Sequence, residues 1–562
     1  MEKRALLAFV LSLAVLVAWE VLTRTPHAPE APVQPPQATS PPSTAPAEPQ
    51  PSPGSEPAEV KPPSAFPAEA FTEAPAIPME EQYATWTVET PLYRARILAP
   101  GARVHLFELK RYGETAAKDS PPTELISTRG GGYLPLAMDF LRHSDWSLST
   151  RTFQSDAPAR KALAQGDSPY KLRLRTEEPG KFRVDRVFTF NPDSYLVEVE
   201  TQVANLASES VSDQLGVSFY FEPYDPDESA YNQSQLSVYR QGGGLEYASV
   251  DDILENRTVF SPPLSWAGYH NSYFLQALVP QEGRTFQVVP RVLDKARKLL
   301  QVAYITEPFQ LGAGESRSVP LKLYMGPKEL GELRKAGTHL EEAVDFGWVG
   351  FLARPLVYML KWFYGFTHNY GVAIILLTVV IKIIFWPLTH KSYKSMQGMK
   401  KLQPKMTQIR EKYKDDREKL NQELMMLYKT HKVNPLGGCL PMALQIPFFF
   451  ALYRMLYGSV ELLHQPFFLW INDLTAPDRL DIGVQIPYLG GLPVLTLLMG
   501  ASMFIQQKMT PTTGDPRQEK MMLMMPIVFT FFFINFPSGL VLYWLVNNLL
   551  SIVQQSWINR RA

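Results

Sequence analysis

The sequence offers few of the residues from which covalent or metal-based sites are built. Its 562 residues contain one cysteine, Cys439, so neither an intrachain disulfide nor a cysteine metal cluster can form. Residues 81–335 lack a phosphate-binding glycine loop, a nucleophile elbow and histidines at metal-ligand spacing. The formal net charge is zero, with 55 basic and 55 acidic residues. We therefore expect no enzyme active site, no metal, no cofactor and no direct nucleic-acid specificity.

The chain begins with a predicted membrane anchor and a proline-rich tether. Residues 1–24 place Lys3 and Arg4 ahead of an apolar run and are either a cleaved signal peptide or an uncleaved anchor. We favour the anchor, with a cytoplasmic N-terminus, because no clear small-residue cleavage site follows the run. Residues 25–80 contain 17 prolines and are expected to be a disordered periplasmic tether.

Residues 81–335 alternate apolar and polar side chains, as half-buried strands do. In Tyr195–Val203, valines and a threonine occupy one face while two glutamates and a glutamine occupy the other. Similar segments separated by turn residues are Tyr93–Leu98, Tyr170–Arg175, Lys181–Phe190, Leu215–Phe221, Thr285–Val292 and Val319–Tyr324. They predict a large antiparallel β-sandwich domain. The carboxylates of Asp225, Asp227 and Glu228 could mimic a glycosidase pair, but we favour a solvated loop.

Residues 336–369 are amphipathic and aromatic. Pro355 suits the first turn of a helix, and one apolar face of that helix carries Leu356, Met359, Leu360 and Phe363. The basic and aromatic residues among them are typical of a helix in the headgroup region: Arg354, Lys361, Trp362 and Tyr364. We expect an interfacial amphipathic helix, and the alternative is a longer first turn of the membrane span that follows.

The C-terminal part predicts five membrane spans: residues 370–388, Leu436–Tyr457, Tyr488–Gln506, Met521–Phe536 and Gly539–Gln554. Loop charges orient them by the positive-inside rule. His390–Val433 has 12 basic and 5 acidic residues and should be cytoplasmic, whereas Val460–Pro487 has one basic and four acidic residues and should be periplasmic. With the anchor, this predicts six spans, the last four within residues 434–556, and a short cytoplasmic tail at 557–562.

The span at 370–388 contains a cation, Lys382, near its cytoplasmic end. A charge inside a span costs about 2.5–3.5 kcal/mol on insertion scales, so its surroundings must compensate. None of the four later spans contains Asp or Glu, which argues against an internal ion pair. Two partners stay open: a lipid phosphate reached by snorkelling, and a water-filled cavity facing the cytoplasm.

Other intramembrane polar residues favour the cavity. Thr378 lies one helical turn from Lys382 on the same face. Further polar residues in the predicted spans are Gln445, Asn535, Asn547 and Asn548. Each is also explained as interhelical packing. A solute transporter or channel with a periplasmic binding domain is the alternative function, although no acidic relay and no paired broken helices support it.

Residues 389–433 predict a cytoplasmic helical hairpin. Apolar residues step by three and four from Met396 to Tyr413 and from Leu420 to Tyr428, with Asp415-Asp416 between the two runs. The segment is either a solvated basic loop attracted to anionic lipid or a docking arm for a partner. Methionines and phenylalanines of the spans form bundle core, lipid contacts or a surface for varied hydrophobic helices: Met521, Met522, Met524, Met525, Phe448–Phe450 and Phe531–Phe533.

Three stretches carry a family resemblance: NPLGGCLPMALQIPFFFALYRMLYGSVEL (434–462), QKMTPTT (507–513) and FPSGLVLYWLVNNLLSIVQQ (536–555). They resemble the YidC family of membrane-protein insertases, and the whole architecture is similar to that of its Gram-negative members. The resemblance implies an inner-membrane insertase and intramembrane chaperone that inserts, folds and helps assemble membrane proteins, alone or with the Sec translocase. It also implies a periplasmic β-supersandwich without sugar chemistry.

The resemblance further implies a positively charged hydrophilic groove, open to cytoplasm and lipid, on which an arginine of the family lies. This sequence has Lys382 at that position, which keeps the charge but not the planar guanidinium. Trp544, beside Tyr543, falls where a second tyrosine often contacts the incoming helix. The predicted groove and substrate-contact residues are Lys382, Thr378, Gln445, Asn547, Tyr543 and Trp544.

The same resemblance suggests partners. They are nascent membrane proteins, Sec translocase components, membrane lipids and the ribosome. Some relatives dock on ribosomes through a long basic C-terminal extension, but this sequence ends at Ala562. The hairpin is therefore the expected ribosome contact.

Overall fold

The protein is described by a computed structural model that covers residues 76–78, 82–143, 146–224, 232–256, 259–281, 283–414, 416–431, 440–484, 486–487, 489–509 and 516–561. Strands make up the first part of the covered chain and helices the last. The predicted anchor, nearly all of the tether, Cys439 and the loop carboxylates Asp225, Asp227 and Glu228 lie outside the described residues.

The strands between residues 85 and 327 form four sheets. They are β1 (Thr85–Glu89), β2 (Tyr93–Leu98), β3 (Arg103–Gly113), β4 (Pro122–Glu124), β5 (Ala137–Phe140), β6 (Arg160–Ala162), β7 (Tyr170–Glu178), β8 (Phe182–Phe190), β9 (Leu196–Asn205), β10 (Val211–Asp213), β11 (Leu215–Phe221), β12 (Gln235–Arg240), β13 (Leu245–Ala248), β14 (Leu264–His270), β15 (Phe274–Pro280), β16 (Phe286–Asp294), β17 (Leu299–Thr306), β18 (Phe309–Leu311) and β19 (Ser316–Pro327). The sheet orders are β13-β12-β14-β15-β19-β9-β8-β7, β16-β17-β11-β5, β4-β3-β2-β1-β6 and β10-β18.

The predicted strand segments are strands in the structure. In β9, Val197, Val199 and Val203 are buried while Glu198 and Glu200 are exposed, as the alternation predicts. The eight-stranded and four-stranded sheets pack face to face, with Phe221 stacked on Tyr269 at 4.7 Å between ring centroids. The pairing is antiparallel except between β1 and β6, which run parallel, so the antiparallel prediction is wrong for that pair.

The end of the predicted tether belongs to the β-domain. Ile77 is only 3% exposed, and its backbone N–H donates to the carbonyl of Gly132 at 3.0 Å. The prediction of a disordered tether up to residue 80 is therefore wrong for residues 76–78. Burial of the Ile77 side chain and its backbone hydrogen bond both offset the loss of conformational freedom in this short segment.

Lys328, directly after β19, is buried beside a histidine. Its Nζ donates to the Asn271 carbonyl at 2.9 Å and lies 3.1 Å from Nδ1 of His270. Burial lowers the pKa of Lys328 to about 7. Burial and the charge of Lys328 also lower the pKa of His270 well below its ordinary value. The β-domain thus carries a lysine whose charged form is disfavoured by folding.

We expect this lysine to make the stability of the β-domain depend on pH. Above pH 7 the folded domain loses the Lys328 proton while the unfolded chain keeps it up to about pH 10, so stability rises with pH across that range. Melting temperatures of the purified protein between pH 7 and 9.5 should show this slope, and Lys328→Met should flatten it. Lys335→Met, which removes an exposed lysine nearby, should leave the slope in place; an unchanged slope in Lys328→Met would contradict the assignment.

The described α-helices are α1 (Val250–Asn256), α2 (Leu330–Ala336), α3 (Gly350–Thr367), α4 (Tyr370–Lys412), α5 (Arg417–Thr430), α6 (Leu440–Gly458), α7 (Val494–Met509), α8 (Pro516–Phe533) and α9 (Ser538–Arg561). Short 3₁₀ turns occupy Arg129–Gly131, Leu340–Ala343, Gly347–Val349 and Val460–Leu462. Buried apolar side chains of the β-domain and of the helices form one contiguous cluster.

The helix α3 is separate from the span that follows. His368 adopts a left-handed conformation with φ of 50°, and the Asn369 side chain then caps α4 by accepting from the N–H of Val372. This excludes the alternative of a longer first turn of the span. Pro355 does not lie in the first turn, because α3 begins five residues earlier, at Gly350. That position was therefore predicted wrongly.

The predicted span at 370–388 and the first half of the hairpin are one helix. The 43-residue helix α4 continues through Pro387 and Pro404 to Lys412. The hairpin turn lies where the sequence predicts it, since Asp416 caps α5 by accepting from the N–H of Lys419 at 3.0 Å. By length and apolar composition, α4 qualifies as a membrane span within the described chain, while the apolar stretch Met521–Phe533 is shorter.

Three other predicted spans have different limits in the structure, including α8, which covers Pro516–Phe533 rather than Met521–Phe536. The helix α7 begins at Val494 rather than Tyr488, because Leu480 and Leu492 exchange backbone hydrogen bonds and Pro493 favours an extended residue before it. The helix α9 continues from the predicted end at Gln554 to Arg561. Trp557 there packs edge-on against Trp386 of α4, at 6.1 Å between ring centroids.

Candidate functional site

The candidate site is the polar contact between α4 and α9. Lys382 is only 8% exposed, and its Nζ donates to Oγ of Ser551 at 2.7 Å. The Ser551 hydroxyl donates in turn to the carbonyl of Asn547 at 2.7 Å. In the described part of the chain, no carboxylate forms an ion pair with Lys382. Among the described residues, the hydrogen-bond partner of the ammonium is thus a neutral hydroxyl, and no carboxylate neutralises it.

Ser551 was not predicted from the sequence. The two partners considered for Lys382 were a lipid phosphate and cavity water, whereas the structure shows a protein hydroxyl. A signal was present: polar residues recur on α9 at helical spacing, at Asn547, Asn548, Ser551, Gln554 and Gln555. Four of them bond to neighbouring helices or to the segment that ends α7, which makes this column an interhelical seam.

The other contacts of this seam tie α9 to α4 and α7. The Nε2 of Gln554 donates to Oγ1 of Thr389 on α4 at 2.8 Å. The Nδ2 of Asn548 donates to Oγ of Ser502 on α7 at 3.1 Å, and the Nε2 of Gln555 donates to the Met509 carbonyl at 2.9 Å. Buried polar groups need such partners, because an unpaired one costs about 1–3 kcal/mol. The seam therefore stabilises the three-helix arrangement around Lys382.

The structure brings only part of the predicted set of site residues to this contact. Lys382 and the Asn547 carbonyl both bond to Ser551, and Thr378, one helical turn before Lys382, donates its hydroxyl to the Ile374 carbonyl of its own helix at 2.7 Å. Tyr543 is buried on α9, four residues before Asn547, and Gln445 is half-buried on α6. Asn535 lies beyond the end of α8, exposed, where it accepts from Arg479 at 2.7 Å.

Trp544 belongs to an aromatic cluster of α6, α8 and α9. Its ring centroid lies 4.9 Å from that of Phe449, 5.0 Å from Phe533 and 6.1 Å from Phe529. Gln445 occupies the α6 face of Phe449 one helical turn earlier. Within the triplet Phe531–Phe533 of α8, Phe531 and Phe532 are exposed, whereas Phe533 is buried. The cluster packs α6, α8 and α9 together near the N-terminus of α9.

The helical hairpin at residues 389–433 has the predicted apolar seam. Met406 and Leu402 of α4 are buried, and the Tyr428 hydroxyl of α5 lies 3.9 Å from Sδ of Met406. Met425 and Met426 face outward on α5 and are exposed. The hairpin thus presents two flexible apolar side chains to whatever approaches it.

A three-charge cluster joins the β-domain, α3 and the segment after α6. Lys361 of α3 is hydrogen-bonded to Glu329, which precedes α2, and its Nζ lies 3.7 Å from Oε1 of Glu461. Burial by itself would lower the pKa of Lys361, but the two carboxylates raise it above its ordinary value. Burial raises the pKa of Glu461 against the opposing charge of Lys361. The cluster was not predicted, because its members are far apart in sequence.

No other chemistry is indicated among the residues described. No group of three or more His, Cys, Asp or Glu side chains suited to a metal ion is found among them. The polar groups of the α4–α9 seam can bind and orient a charged or polar segment, but they include no paired nucleophile and base. The arrangement is a buried polar seam between helices.

Comparisons with known proteins find similar proteins along the whole length of the chain. The family model described as YidC periplasmic domain matches residues 85–359, and the one described as 60Kd inner membrane protein matches residues 362–562. A protein of Syntrophobacter fumaroxidans named membrane protein insertase YidC is 56% identical over 564 residues, covering 100% of both chains. One of the same name from Syntrophus aciditrophicus is 41% identical over 576 residues, again covering 100% of both.

Two solved structures are similar at low sequence identity. A crystal structure of an active YidC insertase with its first transmembrane domain resolved covers 84% of this chain and 92% of its own, at 18% identity and a TM-score of 0.36. A galactose mutarotase-like protein from Lactobacillus casei covers 43% of this chain and 99% of its own, at 13% identity and a TM-score of 0.32.

Proposed function

The chain belongs to the YidC family of membrane protein insertases, and from this premise we propose how its own residues carry out insertion. It is an inner-membrane protein with a periplasmic domain of β-sheets, it acts on membrane protein substrates, and it is not an enzyme. Membership along the full length removes the reasons for the transporter and carbohydrate-enzyme alternatives.

The proposed topology has six spans with both termini in the cytoplasm. The basic hairpin, residues 389–433, then lies inside, and the acidic segment between α6 and α7 lies outside with the β-domain, as the positive-inside rule requires. The helix α3 lies in the outer headgroup region. Its second apolar face supports this position, because Phe351, Tyr358, Trp362 and Phe366 are exposed while the opposite face packs into the protein.

The seam around Lys382 is the proposed contact for the polar flank of a substrate. An acidic group crossing the hydrocarbon layer loses its hydration at a cost of several kcal/mol. Lys382 offers it a cation within the bundle whose present partner is only a hydroxyl. This buried and unneutralised ammonium is the observation that carries the proposal. The apolar segment of the substrate meanwhile slides along the exposed face of the bundle, including Met524 and Phe531 of α8.

The hairpin, the β-domain and α3 are the proposed contact surfaces for partners. The hairpin receives the nascent chain and contacts the ribosome through its basic surface and through Met425 and Met426. The β-domain and α3 face the components of the Sec translocase and the lipid headgroups. This division places the nascent chain and the ribosome on the cytoplasmic side, and the Sec components and outer headgroups on the periplasmic side.

Site-specific crosslinking tests the proposed contact. Photoreactive residues at positions 378, 382 and 544 should crosslink to the polar flank of a stalled nascent membrane protein, because these positions line or neighbour the seam. A probe at Ile383, which is exposed one position away, should capture lipid or the apolar segment instead. Capture of the polar flank only at position 383 would contradict the proposed route.

A further inference from the structure

The helices α4 and α9 run parallel in a fixed register, which defines the level of each residue in the seam. Gln554 bonds to Thr389, 165 positions earlier in the chain. Near the other end, a Cβ on Gly539 would meet Cδ1 of Ile374 at 3.4 Å, and these residues are also 165 positions apart. The residue of α9 at the level of Lys382 is therefore Asn547.

The ammonium of Lys382 does not bond at its own level. It reaches Ser551, 169 positions away and four residues beyond Asn547. Four residues of helix correspond to about 6 Å along the axis. The side chain thus runs toward the C-terminal end of α4, although side chains of a helix lean by default toward its N-terminus. A specific acceptor is needed to hold it in this direction.

Ser551 is built as that acceptor. Its hydroxyl proton is committed to the Asn547 carbonyl, so the oxygen lone pairs are left for Nζ of Lys382. Ser551 is only 2% exposed. The oxygen is therefore oriented before a substrate arrives.

We propose that Ser551 is a positioning residue that directs the Lys382 ammonium toward the cytoplasmic end of the seam, where an entering acidic group meets it. This inference rests on the proposed role of Lys382. A neutral hydroxyl suits the task, because it holds the ammonium without neutralising it, and a carboxylate, which adds Coulomb attraction to the hydrogen bond, can displace it. An aspartate or glutamate at this position would instead neutralise the cation.

A double-mutant cycle tests the inference. Insertion into proteoliposomes is measured for two substrates that differ only in an acidic or a neutral translocated tail. Ser551→Ala should lower insertion of the acidic-tailed substrate roughly tenfold, the size expected for one hydrogen bond to a charged group. Ser551→Thr, which keeps the hydroxyl, should restore it. In a Lys382→Ala background, Ser551→Ala should cause no further loss.

Ser502→Ala is the matched control, since it removes another buried serine hydroxyl from the same seam. Its effect should be equal for both substrates and independent of Lys382. Two results would overturn the role of Ser551 while leaving that of Lys382 in place. One is an equal loss of insertion for both substrates in Ser551→Ala, and the other is a loss that adds to that of Lys382→Ala. Undiminished insertion of the acidic-tailed substrate by Lys382→Ala would overturn the proposed function, and this inference with it.

Discussion

Lys382→Ala is expected to lower insertion of substrates with acidic translocated tails by tenfold or more, and Lys382→Arg is expected to retain it. Two opposite charges 4 Å apart at an effective dielectric constant of about 20 gain about 4 kcal/mol. Part of that gain offsets desolvation of the carboxylate, and about 1.4 kcal/mol of the remainder already corresponds to a tenfold change. Arginine keeps the charge at a similar reach, so attraction survives the exchange.

The measurement is insertion of a short test protein whose translocated tail carries several acidic residues or none. The neutral-tailed version serves as the control, because loss of the cation should affect it little. Equal activity of Lys382→Ala on both substrates, at wild-type protein levels, would reduce Lys382 to a residue that packs the seam. Failure of Lys382→Arg would show that the site needs the ammonium and its Ser551 contact rather than charge alone.

Lys361→Met is expected to loosen the attachment of the β-domain to the helices. It leaves Glu329 and Glu461 facing each other without the cation between them, and the Glu461 side chain is only 8% exposed. Breaking a buried pair by removing one partner costs about 3–5 kcal/mol, and we expect about 2–3 because Lys361 itself is one-third exposed. The full-length protein in detergent should therefore melt several degrees lower and release its β-domain to trypsin faster.

Two further variants make this prediction specific. Arg354→Met breaks the pair between Arg354 of α3 and Glu342, and should cost about 0–1 kcal/mol because the Glu342 side chain left behind is 35% exposed, against 8% for Glu461. Adding Glu461→Gln to Lys361→Met should recover part of the lost stability, since it removes the uncompensated charge. If Lys361→Met and Arg354→Met have the same small effect, the three-charge cluster does not hold the β-domain in place.

Much of the fold is readable from local patterns. The alternation in Tyr195–Val203 identifies β9 because burial on one face of a strand repeats every two residues. The hairpin turn is readable for a similar reason, since Asp415-Asp416 interrupts two apolar runs and Asp416 caps the next helix. Limits of elements were less predictable: Pro355 lies inside α3, and α7 starts six residues late, because packing outside these segments sets their ends.

The candidate site, like the fold, was predicted in part from local sequence patterns, and the rest required the tertiary structure. By itself, the sequence determined that Lys382 lies in an apolar helix and that the later predicted spans hold no acid to pair with it, because both are properties of composition along one segment. The fold alone establishes that Ser551 is its partner, that the ammonium points toward the C-terminal end of α4, and that Lys361 joins Glu329 to Glu461. These contacts depend on the register between elements distant in the chain, which packing determines and no local pattern records.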